Sequence, residues 1–187
     1  MLNAIQPKTG SLLLSEPFML DPNFKRSVIL LTDHNEEGTV GYILNQRSPY
    51  LLKDILPECP DSEFPVYVGG PVGNDTIHFI HNCYDRMNSG TKIGEDLYWG
   101  GNLETLKLLL NSRQINEIEI KFFIGYSGWT DGQLDAELEQ NSWLVSNSYH
   151  PEVVFVNDEE NLWKEIVIGL GPKYAHIANF PENPMWN

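Results

Sequence analysis

A chain of 187 residues with 41% apolar content can bury a sizeable core, and 20% charged residues is too few for a disordered polymer. Acidic residues outnumber basic ones 26 to 12, giving a net charge of −14, and the tightest basic group is Lys25-Arg26. Such a surface repels nucleic-acid phosphates and anionic lipid, so direct nucleic-acid contact and membrane association are not expected. No apolar run reaches the length of a membrane span, and Leu12-Leu13-Leu14 is too short for a secretory leader. Two cysteines, Cys59 and Cys83, read as free thiols of a reducing cytoplasm.

Gly10 to Ser15 is predicted as a short apolar strand, followed by a turn-rich connection around Pro17, Asp21 and Pro22. Ser27 to Thr32 reads as a central strand, Asp33 to Gly38 as a hairpin loop and Thr39 to Asn45 as the returning strand. Leu51 to Leu56 has helical spacing and stops at Pro57. Strands follow at Phe64–Val68, Thr76–Asn82 and Leu97–Trp99. Asn102 fits a helix N-cap, with Leu103, Leu106 and Leu110 on one face.

Ile118, Ile120, Phe122 and Ile124 alternate as in a half-buried strand. A tight turn at Gly125–Trp129 and a helix from about Asp131 to Gln140 should follow, Thr130 and Gln133 having capping-box spacing. Trp143–Val145 and Val153–Val156 read as extended. Asn157 and Glu160 suggest a cap for a helix carrying Leu162, Trp163, Ile166, Val167 and Leu170, ended by Gly171-Pro172. Phe180 to Asn187 reads as an extended or mobile tail. There is no repeat and no linker, so residues 1–187 form a single α+β domain.

Several constellations carry possible chemistry. Gly125-Tyr-Ser-Gly-Trp129 lies between strand and helix as a nucleophile elbow does, but an indole stands where close packing demands glycine. Ser127 is therefore read as shaping a turn, with Trp129 plugging the core. Gln133 and Glu137 share a helix face. They either bind a ligand or brace buried backbone, and bracing is the favoured reading.

His78 and His81 point to opposite faces of a strand, so no metal site is expected. His81 and Cys83 face the same way; the preferred reading is a buried thiol beside a hydrogen-bonded imidazole, not a redox pair. Gly69-Gly70-Pro71-Val72-Gly73 matches neither the dinucleotide nor the P-loop pattern and reads as a turn, with phosphate binding by its backbone N–H groups the weaker alternative. Asp21, Arg26 and Asn45 flank the first hairpin; the functional reading is an anion site, and the favoured one is a structural ion pair of Arg26 with Asp21.

Taken in order, these blocks resemble the YqgE/AlgH family of bacterial proteins. The resemblance rests on Gly10–Pro17, Asp21–Phe24, Arg26–Val28, His34, Gly38, Gly41, Asn45, Gly69–Val72, His81, Gly125–Trp129, Gly132–Leu134, Glu137-Leu138, Trp143, Leu162-Trp163 and Gly171. It implies a compact α+β fold with a mixed, barrel-like sheet flanked by helices, and a cytoplasmic protein. It brings no catalytic residue and no cofactor. Members are often labelled transcriptional regulators, after a link to control of alginate production.

Two functions follow. The first is a non-enzymatic binding or regulatory protein acting through another protein, for which an exposed aromatic patch near Trp129 or Trp143 is expected. The second is a small-molecule site or enzyme, with a pocket where Gly69–Val72 and Ser127–Gln133 meet beside Arg26, Asn45 or His81. The candidate binding residues are thus Arg26, Asn45, Gly69, Gly70, His81, Ser127, Trp129, Gln133 and Glu137.

Overall fold

The computed structural model describes residues 5–180, so the expected tail beyond Phe180 lies outside the described residues. Strands β1 (Leu12–Ser15), β2 (Val28–Asn35) and β3 (Gly38–Ile43) form an antiparallel meander, and β10 (Trp143–Ser146) adds to the free side of β1. The spine is β9 (Ile120–Thr130). Its C-terminal half pairs antiparallel with β3 and its N-terminal half pairs parallel with β5 (Pro65–Val68). The other side of β9 holds β6 (Val72–His81), which leads to β8 (Leu97–Trp99) and β7 (Thr91–Gly94). Strand β4 (Arg47–Leu51) edges β5.

The sheet is mixed and strongly curled but not closed into a barrel. β10 and β7 stand at opposite ends of the strand order β10-β1-β2-β3-β9-β6-β8-β7. The segment leading into β1 does approach β7 at Gly10. A Cβ there would sit 2.2 Å from the Ile93 carbonyl oxygen, and φ is +84°, so glycine is required.

Among the described residues there are six α-helices: α1 (Leu52–Ile55), α2 (Tyr84–Met87), α3 (Leu103–Asn111), α4 (Gln133–Glu139), α5 (Leu162–Gly169) and α6 (Pro172–Ala175). The predicted N-cap of α3 is present: Asn102 Oδ1 accepts the Thr105 amide at 2.9 Å. Leu106 and Leu110 are buried as expected, whereas Leu103 is exposed and Leu109 takes its place.

Both faces of the sheet are covered. In β1, Leu12 and Leu14 join one core with Tyr67, Phe123 and Trp163, while Leu13 joins another with Trp129, Leu134 and Trp143. A third core packs α1, α2 and α3 on Phe79, Ile120 and Phe122. Double coverage explains why these strands read as continuous apolar runs.

Four expectations are corrected. The hairpin loop is shorter than Asp33–Gly38, because β2 runs on to Asn35 past a bulge after Leu31, with His34 Nδ1 2.7 Å from Thr39 Oγ1 across the ladder. Gly125–Trp129 is not a turn but the second half of β9, bent where Gly125 has φ +66°. Val153–Val156 is not extended; Pro151 starts a 3-10 helix, Pro151–Phe155, that buries Val154 and Phe155. The strand expected from Ile118 begins at Ile120, leaving Ile118 exposed, and Ile120 to Phe123 are buried on both faces.

Candidate functional site

The residues singled out in the sequence fall in four places. The first is built on α4. Glu137 Oε2 accepts the indole N–H of Trp129 at 2.9 Å and of Trp143 at 2.7 Å. Its Oε1 accepts Gln133 Nε2 at 3.0 Å, and Gln133 Oε1 accepts the Thr130 amide at 3.1 Å. This is one half of the predicted capping box; Gly132, not Thr130, precedes the helix.

The two indoles meet edge to face at 5.9 Å, and Phe24 packs on both. Trp129 is only 6% exposed and Trp143 2%, so the expected aromatic docking patch does not exist. One carboxylate instead ties β9, α4 and β10 together. Removing it would strand two buried indole donors at about 1–3 kcal/mol each.

The second place is the seam between Gly69-Gly70 and Gly125–Ser127. These distant segments meet, as expected, but as solid backbone. A Cβ on Gly69 would lie 2.4 Å from the Gly125 carbonyl oxygen, and one on Gly70 2.3 Å from that of Tyr126. The Ser127 hydroxyl is fully buried and donates to the Gly69 carbonyl at 3.0 Å, which also accepts the Ile43 amide at 2.9 Å. A seam without room for a methyl group has none for a ligand, and Ser127 is bonded to a carbonyl, not to a base.

Arg26 and Asn45 form the third place. Asn45 Oδ1 accepts the Val28 amide at 2.9 Å, and its Nδ2 donates to the Arg26 carbonyl at 2.9 Å. That bond holds Arg26 in the left-handed region, φ +47°. The guanidinium lies 5.0 Å over the Trp163 ring and donates to the Phe180 carbonyl. The expected pair with Asp21 is not formed; Asp21 Oδ1 accepts instead from the Asn23 amide and side chain.

His81 is the fourth. It is fully buried, with Nε2 3.1 Å from the Gly100 carbonyl, Nδ1 3.7 Å from Cys83 Sγ, and its ring stacked on Tyr98. Burial lowers the imidazole pKa and pushes the Cys83 thiol up to about 11, the reverse of an activated pair. His78 faces away, against Tyr42. Among the described residues no group of three or more His, Cys, Asp or Glu side chains is placed to hold a metal ion.

Two features escape the sequence pattern. Lys121 sits on the inward face of β9, 3% exposed. Its Nζ donates to the Val156 carbonyl at 2.8 Å and lies 4.0 Å from the centre of the Tyr67 ring. The Tyr67 hydroxyl is 2.8 Å from Asn157 Oδ1 and 3.0 Å from Glu159 Oε1. Burial pushes the Lys121 pKa down to about 7, against the opposing pull of Glu159. The available signal was a lone Lys on the alternate register of an otherwise apolar strand.

The other feature is the end of the molecule where the β2–β3 turn meets the start of α4. Cavities of about 380 and 340 Å³ lie there, lined by Asp33, Glu36, Glu37, Asp131 and Asp135 among others. All five carboxylate residues are exposed. Neither stretch supplying this end, 27–46 or 122–163, contains a single Lys or Arg.

A family model described as AlgH-like matches residues 12–175, which takes in every candidate binding residue predicted from the sequence. The chain belongs to the AlgH-like family. AlgH-like relatives include a UPF0301 protein of Chlorobaculum tepidum, 39% identical over 180 residues and covering 96% of each chain. Another, of Bacteroides thetaiotaomicron, is 38% identical and covers 99% of this chain and 94% of its own.

The solution structure of the AlgH protein of Pseudomonas aeruginosa superposes with a TM-score of 0.71 at 28% identity, covering 96% and 98% of the two chains. A crystal structure from Corynebacterium diphtheriae has a TM-score of 0.76 at 23% identity and covers 95% of each, which establishes a common fold. The AlgH-like match therefore extends over nearly the full chain. None of these names states a reaction.

Proposed function

We propose that this AlgH-like chain is a non-enzymatic binding and regulatory protein of the cytoplasm, acting through contact with a basic segment of another protein. The observation that carries this reading is the one-signed end formed by the β2–β3 turn and α4. Asp33, Glu36, Glu37, Asp131, Asp135 and Glu139 are exposed there, and the stretches that build it have no Lys or Arg. A field of one sign steers oppositely charged partners and rejects phosphate backbones. A role in transcription, if this chain has one, would then run through a protein and not through DNA. The buried free thiols Cys59 and Cys83 suit a reducing compartment. The competing ligand pocket loses support because the Gly69-Gly70 seam is filled by backbone.

The test is quantitative capture from host lysate with the wild type and with Asp33→Asn/Glu36→Gln/Glu37→Gln/Asp131→Asn/Asp135→Asn, matched for unfolding midpoint. The expected result is a basic partner bound by the wild type, lost from the variant and weakened at least about tenfold between 50 and 300 mM salt. Capture that ignores both the substitutions and the salt would sink the reading.

A further inference from the structure

Among the described residues, the Arg26 Nε–H is the buried side-chain donor left without a hydrogen-bond partner. The guanidinium that carries it is rigidly held. Asn45 fixes the left-handed backbone of Arg26 through its carbonyl at 2.9 Å. The Trp163 ring lies 5.0 Å beneath the guanidinium, and its indole N–H is anchored on the Ser15 carbonyl at 3.0 Å. Asp21, the expected carboxylate partner, is turned to Asn23.

The unmet donor lies on a definite edge. Nε–H and the adjacent Nη2–H point the same way, at the spacing of the two oxygens of a carboxylate. Nη2 donates to the Phe180 carbonyl. A single carbonyl oxygen thus stands on an edge suited to two acceptors. The Phe180 ring stacks on Phe18 at 5.4 Å with 14° between planes, and His176 meets it edge-on at 5.8 Å. Its amide donates to the Ile177 carbonyl at 3.1 Å. Phe180 remains 37% exposed, so it lies at the surface, where it can be exchanged.

A peptide ending in phenylalanine presents the same ring, the same amide N–H and a second oxygen. Its carboxylate can meet Nε and Nη2 together, which the Phe180 carbonyl does not. The tightest basic group of this acidic chain, Lys25-Arg26, stands here, at the opposite end of β2 from the acidic turn. An anionic chain end is therefore drawn to this place and repelled from the other. We infer that the Arg26 edge is a docking site for the C-terminal carboxylate of a partner polypeptide ending in phenylalanine, and that Phe180 is the internal placeholder the partner displaces.

The probe is the peptide N-acetyl-Gly-Gly-Phe with a free carboxylate, titrated into the full chain, wild type and Phe180→Ala, with backbone amide shifts as the readout. One-to-one saturable binding to Phe180→Ala is expected, about tenfold tighter than to the wild type, with the largest shifts at residues 16–18, 26–27 and 176–180. The same peptide as its C-terminal amide should bind at least about tenfold more weakly, and so should N-acetyl-Gly-Gly-Ala. Free L-phenylalanine, which brings an ammonium to Lys25-Arg26, should also be weaker. Arg26→Lys in the Phe180→Ala chain keeps the charge without the fork and should lose about tenfold. Should that variant fold poorly, the comparison of acid with amide needs no change at Arg26.

Absence of saturation of Phe180→Ala at millimolar peptide would overturn the inference. So would equal binding of acid and amide, equal binding by the wild type and Phe180→Ala, or equal binding of free phenylalanine.

Discussion

Glu137 and Lys121 are both drawn into packed surroundings, and the fold treats them in opposite ways. Around Glu137 two indole N–H groups and a carboxamide converge on one carboxylate, so the charge is met by directed donors. Lys121 meets a carbonyl and a ring face, with the Glu159 carboxylate engaged by Tyr67. A partly buried carboxylate supplied with hydrogen bonds acts as a fastener, whereas a fully buried ammonium supplied with few is pushed toward its neutral form.

The strongest way to break this contrast is Glu137→Ala. Both indoles lose their acceptor together, and urea unfolding should show a loss of about 3–5 kcal/mol. Glu137→Gln keeps one acceptor oxygen and should lose about half as much. If both variants unfold like the wild type, the carboxylate is no fastener.

Lys121 should reveal itself through pH. Its folded pKa of about 7 lies below its unfolded value, so between about pH 7 and 10 the unfolded chain holds more protons. Stability from this residue should therefore rise across that window, by about 2–4 kcal/mol, and stay at its low plateau below pH 7. Lys121→Met should remove the slope and be the more stable chain at pH 6; parallel curves for the two proteins would refute the assignment.

The smallest effect is expected of Gln133→Ala. Gln133 is exposed and links Glu137 to the Thr130 amide, so about 1 kcal/mol should be lost, read as a shift in denaturation midpoint without a change in slope.

Much of the fold is legible in the chain. Apolar runs announce β1, β2 and β3, Asn102 announces α3, and the i, i+4 pattern from Leu162 announces α5. Glycine is where the reading fails. Gly69, Gly70 and Gly125 look like turn residues, yet they serve a backbone-to-backbone approach between segments some 55 residues apart, which nothing local encodes. β4 and β7 are short, polar edges without alternation, and Asp33–Asn35 are strand residues dressed as loop. Of the four candidate places, only the α4 network follows from spacing, because i, i+4 geometry is local. The convergence of both tryptophans on Glu137 is tertiary, and Lys121 is hidden because pattern reading weighs the apolar register of a strand and ignores the other.

The central position of β9 has a consequence for how the protein is made. A ribosome reaches Thr130 only 87 residues after Ile43, the end of β3, an interval of roughly 4–17 seconds at ordinary elongation rates. Throughout it, β3 has an unpaired side, and β5 and β6 have no strand between them. The nascent chain thus carries several bare sheet edges at once, and its vulnerability to aggregation is set by translation speed and chaperone cover more than by the stability of the finished domain.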